Sequence, residues 1–154
     1  MIRGSPRRLA THETLRAFGD QSFDLVHSNS LIEHVGSLDD QARMAAEIRR
    51  VAAGYFVQTP NRYFPIEPHF LVPAFQFLPV ALRVRVARRF RPGWYRGGDA
   101  AVAVRDAREI RLLSERELRA MFPDGQVWRE RLYGMTKSFV VWRVCARAEP
   151  AGKA

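Results

Sequence analysis

His69 is the side chain in this sequence best suited to move a proton. It stands in Glu67-Pro68-His69, where prolines fix the backbone and a carboxylate lies close in sequence. An imidazole changes charge near neutral pH, so it can take a proton from a substrate as a general base. The alternative is a loop histidine hydrogen-bonded to backbone. A second polar group, Ser28-Asn29, closes an apolar run and suits a turn that caps the next helix. Glu33-His34 follows it. His27 lies inside that apolar run on the face opposite Val26, and His12 in a polar segment; both read as structural or solvent-exposed. The single cysteine, Cys145, excludes an internal disulfide and a cysteine-based metal site. It falls in the apolar run 139–146 and reads as a small buried hydrophobe in a strand rather than a nucleophile.

The elements that must position these groups follow from hydrophobic pattern. Residues 22–35 read as a buried strand running into a polar turn, residues 39–51 as a helix, and residues 55–61 as a second short strand. The result is strand, helix, strand, with a polar segment at each strand's C-terminal edge, which is where open α/β sheets bind ligands. The stretch 63–94 departs from that rhythm. It is aromatic and punctuated by prolines, then rich in arginine. Its apolar part is shorter than the roughly 20 residues of a membrane span, and Pro73 and Pro79 interrupt it.

A chain of 154 residues, 47% hydrophobic and 27% charged, is long and apolar enough for one folded domain and not a disordered segment. Its formal net charge of +9 invites a nucleic-acid reading. Nucleic acid is nevertheless not favoured, because nearly all the basic residues are arginines inside Ala/Arg-rich stretches such as 42–50 and 107–119, read as helical. Glu47 with Arg50 and Glu115 with Arg119 offset part of the charge at helical spacing. Arg83, Arg85, Arg88, Arg89, Arg91 and Arg96 form the one cluster suited to an anionic partner. The N-terminus is Arg-rich with no apolar core after it, so no signal peptide is expected. The expected setting is a reducing, cytoplasmic one, with peripheral membrane contact as a variant.

The phrases "SFDLVHSNSLIEHV", "AAEIRRVA" and "GYFVQTPN", in that order, resemble the fourth strand, following helix and fifth strand of class I S-adenosylmethionine-dependent methyltransferases of the small-molecule, type 11, kind. "LLSERELRAMFP" resembles that fold's late helix, and "QVWRERLYG" with "SFVVWRVCARA" its closing antiparallel pair. The resemblance implies an α/β fold: the C-terminal half of a Rossmann-like class I methyltransferase sheet with an inserted helical lid. The family's Gly-x-Gly turn and the acidic residue that holds the ribose have no counterpart here, so the chain is expected to be truncated and to start just before the family's fourth strand. Where the family has Gly-Asp-Ala near the start, this chain has Ser5 and Pro6. The expected organisation is one partial domain: an N-terminal segment 1–21, a strand-helix-strand core 22–61, a lid-like insertion 62–105, a late helix and closing strand pair 106–147, and a tail 148–154.

The resemblance also implies site residues. Ser28 and Asn29 border the methionine part of S-adenosylmethionine, a role compatible with the turn. Asn61, Tyr63, Phe64, Glu67 and His69 belong to the lid over a small-molecule or lipid-like acceptor, with His69 as candidate base. Glu33-His34 matches the end of a Glu-x-x-Glu-His pattern that holds a divalent metal in some quinone-biosynthesis O-methyltransferases. Ser30 replaces the first acid, so no metal is expected and His34 is read as an orienting or structural histidine. Residues 70–82 pack on the sheet as a lid, lie on an anionic membrane surface through the adjoining arginines, or form a subunit interface. Two functions remain open: a methyltransferase, and a non-catalytic remnant of the fold or interaction module that contacts an anionic membrane surface. A truncated sheet exposes a strand edge, so self-association is expected.

Overall fold

Residues 15–66, 71–90 and 100–144 are described by a computed structural model of the chain. Strand β1 (Phe23–Asn29) pairs in parallel with β2 (Ala52–Pro60), and helix α1 (Leu38–Val51) makes the crossover between them. A hairpin of β3 (Gln126–Leu132) and β4 (Met135–Arg143) adds antiparallel strands, with β4 against β2. The sheet order is β1-β2-β4-β3. This is a mixed α/β architecture in which β2, between two neighbours, is apolar and buried along most of its length, as a central strand must be.

Helix α1 begins where Ser37 and Asp40 form a reciprocal capping box: Asp40 N donates to Ser37 Oγ at 3.2 Å and Ser37 N to Asp40 Oδ2 at 3.0 Å. Ser37, and not Ser28 or Asn29, is therefore the cap. Gln41, Met44, Ala45, Ile48 and Val51 recur at helical spacing and turn into the core. Asp39 and Asp40 in the first turn and Arg49 and Arg50 in the last complement the helix dipole. The main core joins this face to Tyr55, Val57, Leu113, Leu118, Phe122, Phe139 and Val141.

After β2 the chain leaves the sheet and builds a second, smaller core. Helices α2 (Val80–Phe90) and α3 (Ala100–Glu109) pack on each other, with Ala87, Ala103 and Ala107 buried together with Phe75, Ile110 and Leu112. Alanines at the crossing let the two backbones approach closely. Helix α3 runs across the expected boundary at 105/106. No helix among the described residues is long and apolar enough to cross a membrane.

The stretch 107–119 is not one helix. It breaks between α3 and α4 (Glu115–Met121) because the intervening backbone is claimed by other elements. Arg111 N donates to Glu33 O at 3.0 Å, Gln41 Nε2 to Arg111 O at 2.8 Å, and Arg62 N to Leu113 O at 3.0 Å. Ser114 then starts α4 with its own capping box to Glu117.

The N-terminal end of β2 is cross-linked by a single carboxylate. Asp124 accepts from Tyr55 Oη at 2.8 Å and from Arg49 Nε at 3.0 Å, and pairs with Arg143. Arg143 also donates to the carbonyls of Ala52 and Ala53, each at 3.1 Å, and lies over the Tyr55 ring. Burial raises the Tyr55 phenol pKa, and the hydrogen bond to Asp124 raises it further.

Candidate functional site

Because β1 and β2 are parallel, their C-terminal ends lie on one edge, and the polar residues that close each strand meet there. Register places Ser28 beside Val57 and Asn29 beside Gln58. Ser28 is 3% exposed, and its Oγ is buried with no hydrogen-bond partner among the described residues. Asn29 is exposed. Ser30 sits at φ 48°, a left-handed conformation that turns the chain off the strand. Its N–H donates to Gln58 O at 3.1 Å and its hydroxyl to Gln58 Oε1 at 2.9 Å. Gln58 thus locks the turn that presents Ser28 and Asn29.

Glu33 lies directly below this turn, fully buried, where its Oε2 accepts from Thr59 Oγ1 at 3.0 Å. Its backbone carbonyl takes the Arg111 N–H, which draws the 110–114 connection toward the same edge. Gln41, also fully buried, donates to Ile32 O at 3.0 Å and receives Arg111 Nη1 at 3.0 Å. Arg111 Nη2 pairs with Glu117 at 2.5 Å. Burial, the largest influence on Glu117, opposes its ionisation, yet hydrogen bonds from Ser114 and Arg111 together hold the carboxyl down at about 2. Among the described residues no group of three His, Cys, Asp or Glu could hold a metal ion.

The residues assigned to the lid divide. Asn61 is 7% exposed, with Nδ2 donating to Thr136 O at 2.8 Å and Oδ1 accepting from Tyr63 N at 3.0 Å. It ties the end of β2 to the β3–β4 hairpin and starts an Asx turn. Tyr63 is 65% exposed and stacks on Phe77, ring centroids 6.4 Å apart, whereas Phe64 is buried. Glu67 and His69 lie outside the described residues, as do Cys145, His12, Ser5, Pro6, Arg91 and Arg96. His27 is exposed and stacks on Phe56 at 5.4 Å. Sequence reasoning passed over Gln58, Thr59 and Gln76 as individual participants. The signal for the first two was present: polar residues closing an otherwise apolar central strand.

The fold and this edge define a mixed α/β protein whose polar groups converge where parallel strands end. Residues 3–57 match the family model described as a methyltransferase domain, in line with the resemblance to class I S-adenosylmethionine-dependent methyltransferases. Two uncharacterised proteins of Mycobacterium tuberculosis, from strains CDC 1551 / Oshkosh and ATCC 25618 / H37Rv, are each 34% identical over 65 residues. The match takes in 42% of this chain and 22% of each relative, so the chain spans about a fifth of the length of these curated relatives. A solved SAM-dependent methyltransferase from Methanosarcina mazei aligns over 82% of this chain and 60% of its own, at 15% identity and a TM-score of 0.47.

Proposed function

We propose that this chain forms the acceptor-side part of an S-adenosylmethionine-dependent methyltransferase acting on a small-molecule or lipid-like acceptor, its sheet completed by strands that are not in this sequence. The observation that carries the reading is Ser28: a buried hydroxyl without a partner among the described residues, at the parallel-strand edge of a segment that matches a methyltransferase family model. A buried polar atom left unpaired costs stability, so its retention fits a ligand that bonds it. The residues present fit the methionine end of the cofactor, with Ser28 and Asn29 as its contacts; the residues that grip ribose and adenine in the family are not among them. S-adenosylmethionine, when bound, supplies an electrophilic methyl group.

The chain's own residues position the reactants. The Ser30–Gln58 bonds fix the turn carrying Ser28 and Asn29, and the Glu33–Thr59 bond supports it. His69, which follows β2 in the sequence, is the base we assign to an acceptor that must lose a proton. Isothermal titration with S-adenosylhomocysteine tests the reading. Saturable micromolar binding by the chain, or by the chain joined to its upstream sequence, upholds it; no binding by either overturns it.

A second reading has its own observation. Leu71, Phe77, Val80 and Leu82 are exposed apolar side chains next to the exposed Arg85, Arg88 and Arg89 of α2. That pairing suits a non-catalytic module lying on an anionic membrane surface. Co-sedimentation with phosphatidylglycerol vesicles but not phosphatidylcholine vesicles, without cofactor binding, favours it.

A further inference from the structure

Beyond the end of β2 lies a cavity of about 210 Å³, against about 30 Å³ for a water molecule. Arg62, Gln76, Arg83, Asp106 and Arg111 line it, over an apolar floor that includes Phe75. Three guanidinium groups thus face one carboxylate. Asp106 already pairs with Arg105 at 3.2 Å, and Arg111 is held by Gln41 and Glu117. Arg83 reaches Ile110 O at 3.5 Å. Arg62 is the cation left over: its backbone is bonded, but its part-buried guanidinium has no partner among the described residues.

Gln76 supplies the second observation. Its Nε2 donates to Arg62 O at 3.1 Å and to Phe64 O at 2.7 Å, two carbonyls that admit only a donor. The orientation of the amide is therefore settled, and Oε1 is an acceptor. It is buried and has no hydrogen-bond partner among the described residues. An unbonded acceptor beside a spare guanidinium, in a space too large for one water, calls for a ligand that brings negative charge and a donor together.

We propose that this cavity binds an oxyanion carrying an adjacent O–H group, such as monohydrogen phosphate or a hydroxycarboxylate, with Arg62 and Arg83 on the charged oxygens and Gln76 Oε1 on the hydroxyl. Assigning that group to the methyl acceptor rests on the methyltransferase reading; the anion site itself does not.

The test uses the full chain without cofactor, so that failure to bind S-adenosylhomocysteine and failure of this site are separate results. Inorganic phosphate, glycolate and acetate are titrated at constant ionic strength while the Gln76 side-chain amide is followed by NMR. Saturable millimolar binding of phosphate and glycolate is expected, with acetate, which lacks the hydroxyl, at least fivefold weaker. Arg62→Gln weakens phosphate binding at least fivefold, and Arg116→Gln at an exposed position of α4 leaves it unchanged. Should Arg62→Gln fail to fold by circular dichroism, Arg83→Gln is read in its place. Absence of saturable shifts at Gln76, acetate binding equal to glycolate, or an equal loss in Arg116→Gln overturns the proposal. Phosphatidic acid vesicles distinguish the source of the anion: vesicle binding lost with Arg62→Gln assigns it to a lipid headgroup. Vesicle binding unchanged while phosphate binding is lost assigns it to a free small molecule, and both results uphold the site.

Discussion

Ser28 is buried and Glu117 half-buried, and the two differ in whether their polar atoms are engaged. Glu117 is fully engaged, and its depressed pKa, about 2 against an ordinary 4.5, makes it a source of stability whenever it is ionised. That contribution is complete above the unfolded value and lost as pH falls from about 4.5 toward 2. Glu117→Gln is expected to lower stability at pH 7 and flatten the acid limb, as read by thermal melts between pH 7 and about 2.5. Ser28 is unengaged. Ser28→Ala should leave unfolding stability within about 0.5 kcal/mol or raise it, yet weaken S-adenosylhomocysteine about fivefold, a separation no structural role for the hydroxyl produces. The position of Ser28 at a strand end was legible from an apolar run breaking into polar residues. Its burial was not, because that depends on what packs across the sheet. The cap of α1 was legible in Ser37-x-x-Asp40 and was instead sought at Ser28 and Asn29. The double commitment of Asn61 was hidden, since Thr136 lies 75 residues away.

Among the elements, β2 is the one that cannot be altered quietly. Gly54 lies between β1 and β4 where an added Cβ would meet Arg143 O at 2.9 Å and Asp24 O at 3.3 Å, both backbone atoms. Gly54→Ala must push a neighbouring strand aside, and a loss of about 1–3 kcal/mol in urea unfolding is expected. The strand-helix-strand unit was readable from its hydrophobic pattern, and the closing hairpin from the resemblance of "QVWRERLYG" and "SFVVWRVCARA" to the family's closing pair. The break at 110–114 was not. Local propensity there favours helix, and it is overridden by distant groups, Glu33, Gln41 and Arg62, that take up its backbone. The same distance in sequence hid the cavity: Arg62, Gln76, Arg83 and Asp106 come from four segments that meet only after α2 and α3 pair.

In the whole molecule, β1 stands at the edge of the sheet, with Leu25 57% exposed and no strand beyond it among the described residues. An edge of this kind pairs with other chains. Light scattering after size exclusion should show a mass that rises with concentration, and Leu25→Lys should suppress the rise; a monodisperse monomer at all concentrations counts against an incomplete sheet. The two ends of the sheet differ in another way. At the N-terminal end of β2, Asp124 and Arg143 knit α1, β2 and β4 together, whereas at the C-terminal end Ser28, Gln76 and Arg62 keep bonding capacity in reserve. Amide protons should therefore exchange with solvent along a gradient, slowest around Tyr55 and fastest beyond Asn61. A ligand that satisfies the reserved groups would steepen protection at one end and leave the other as it was, so deuterium uptake reports occupancy without any chemistry being measured.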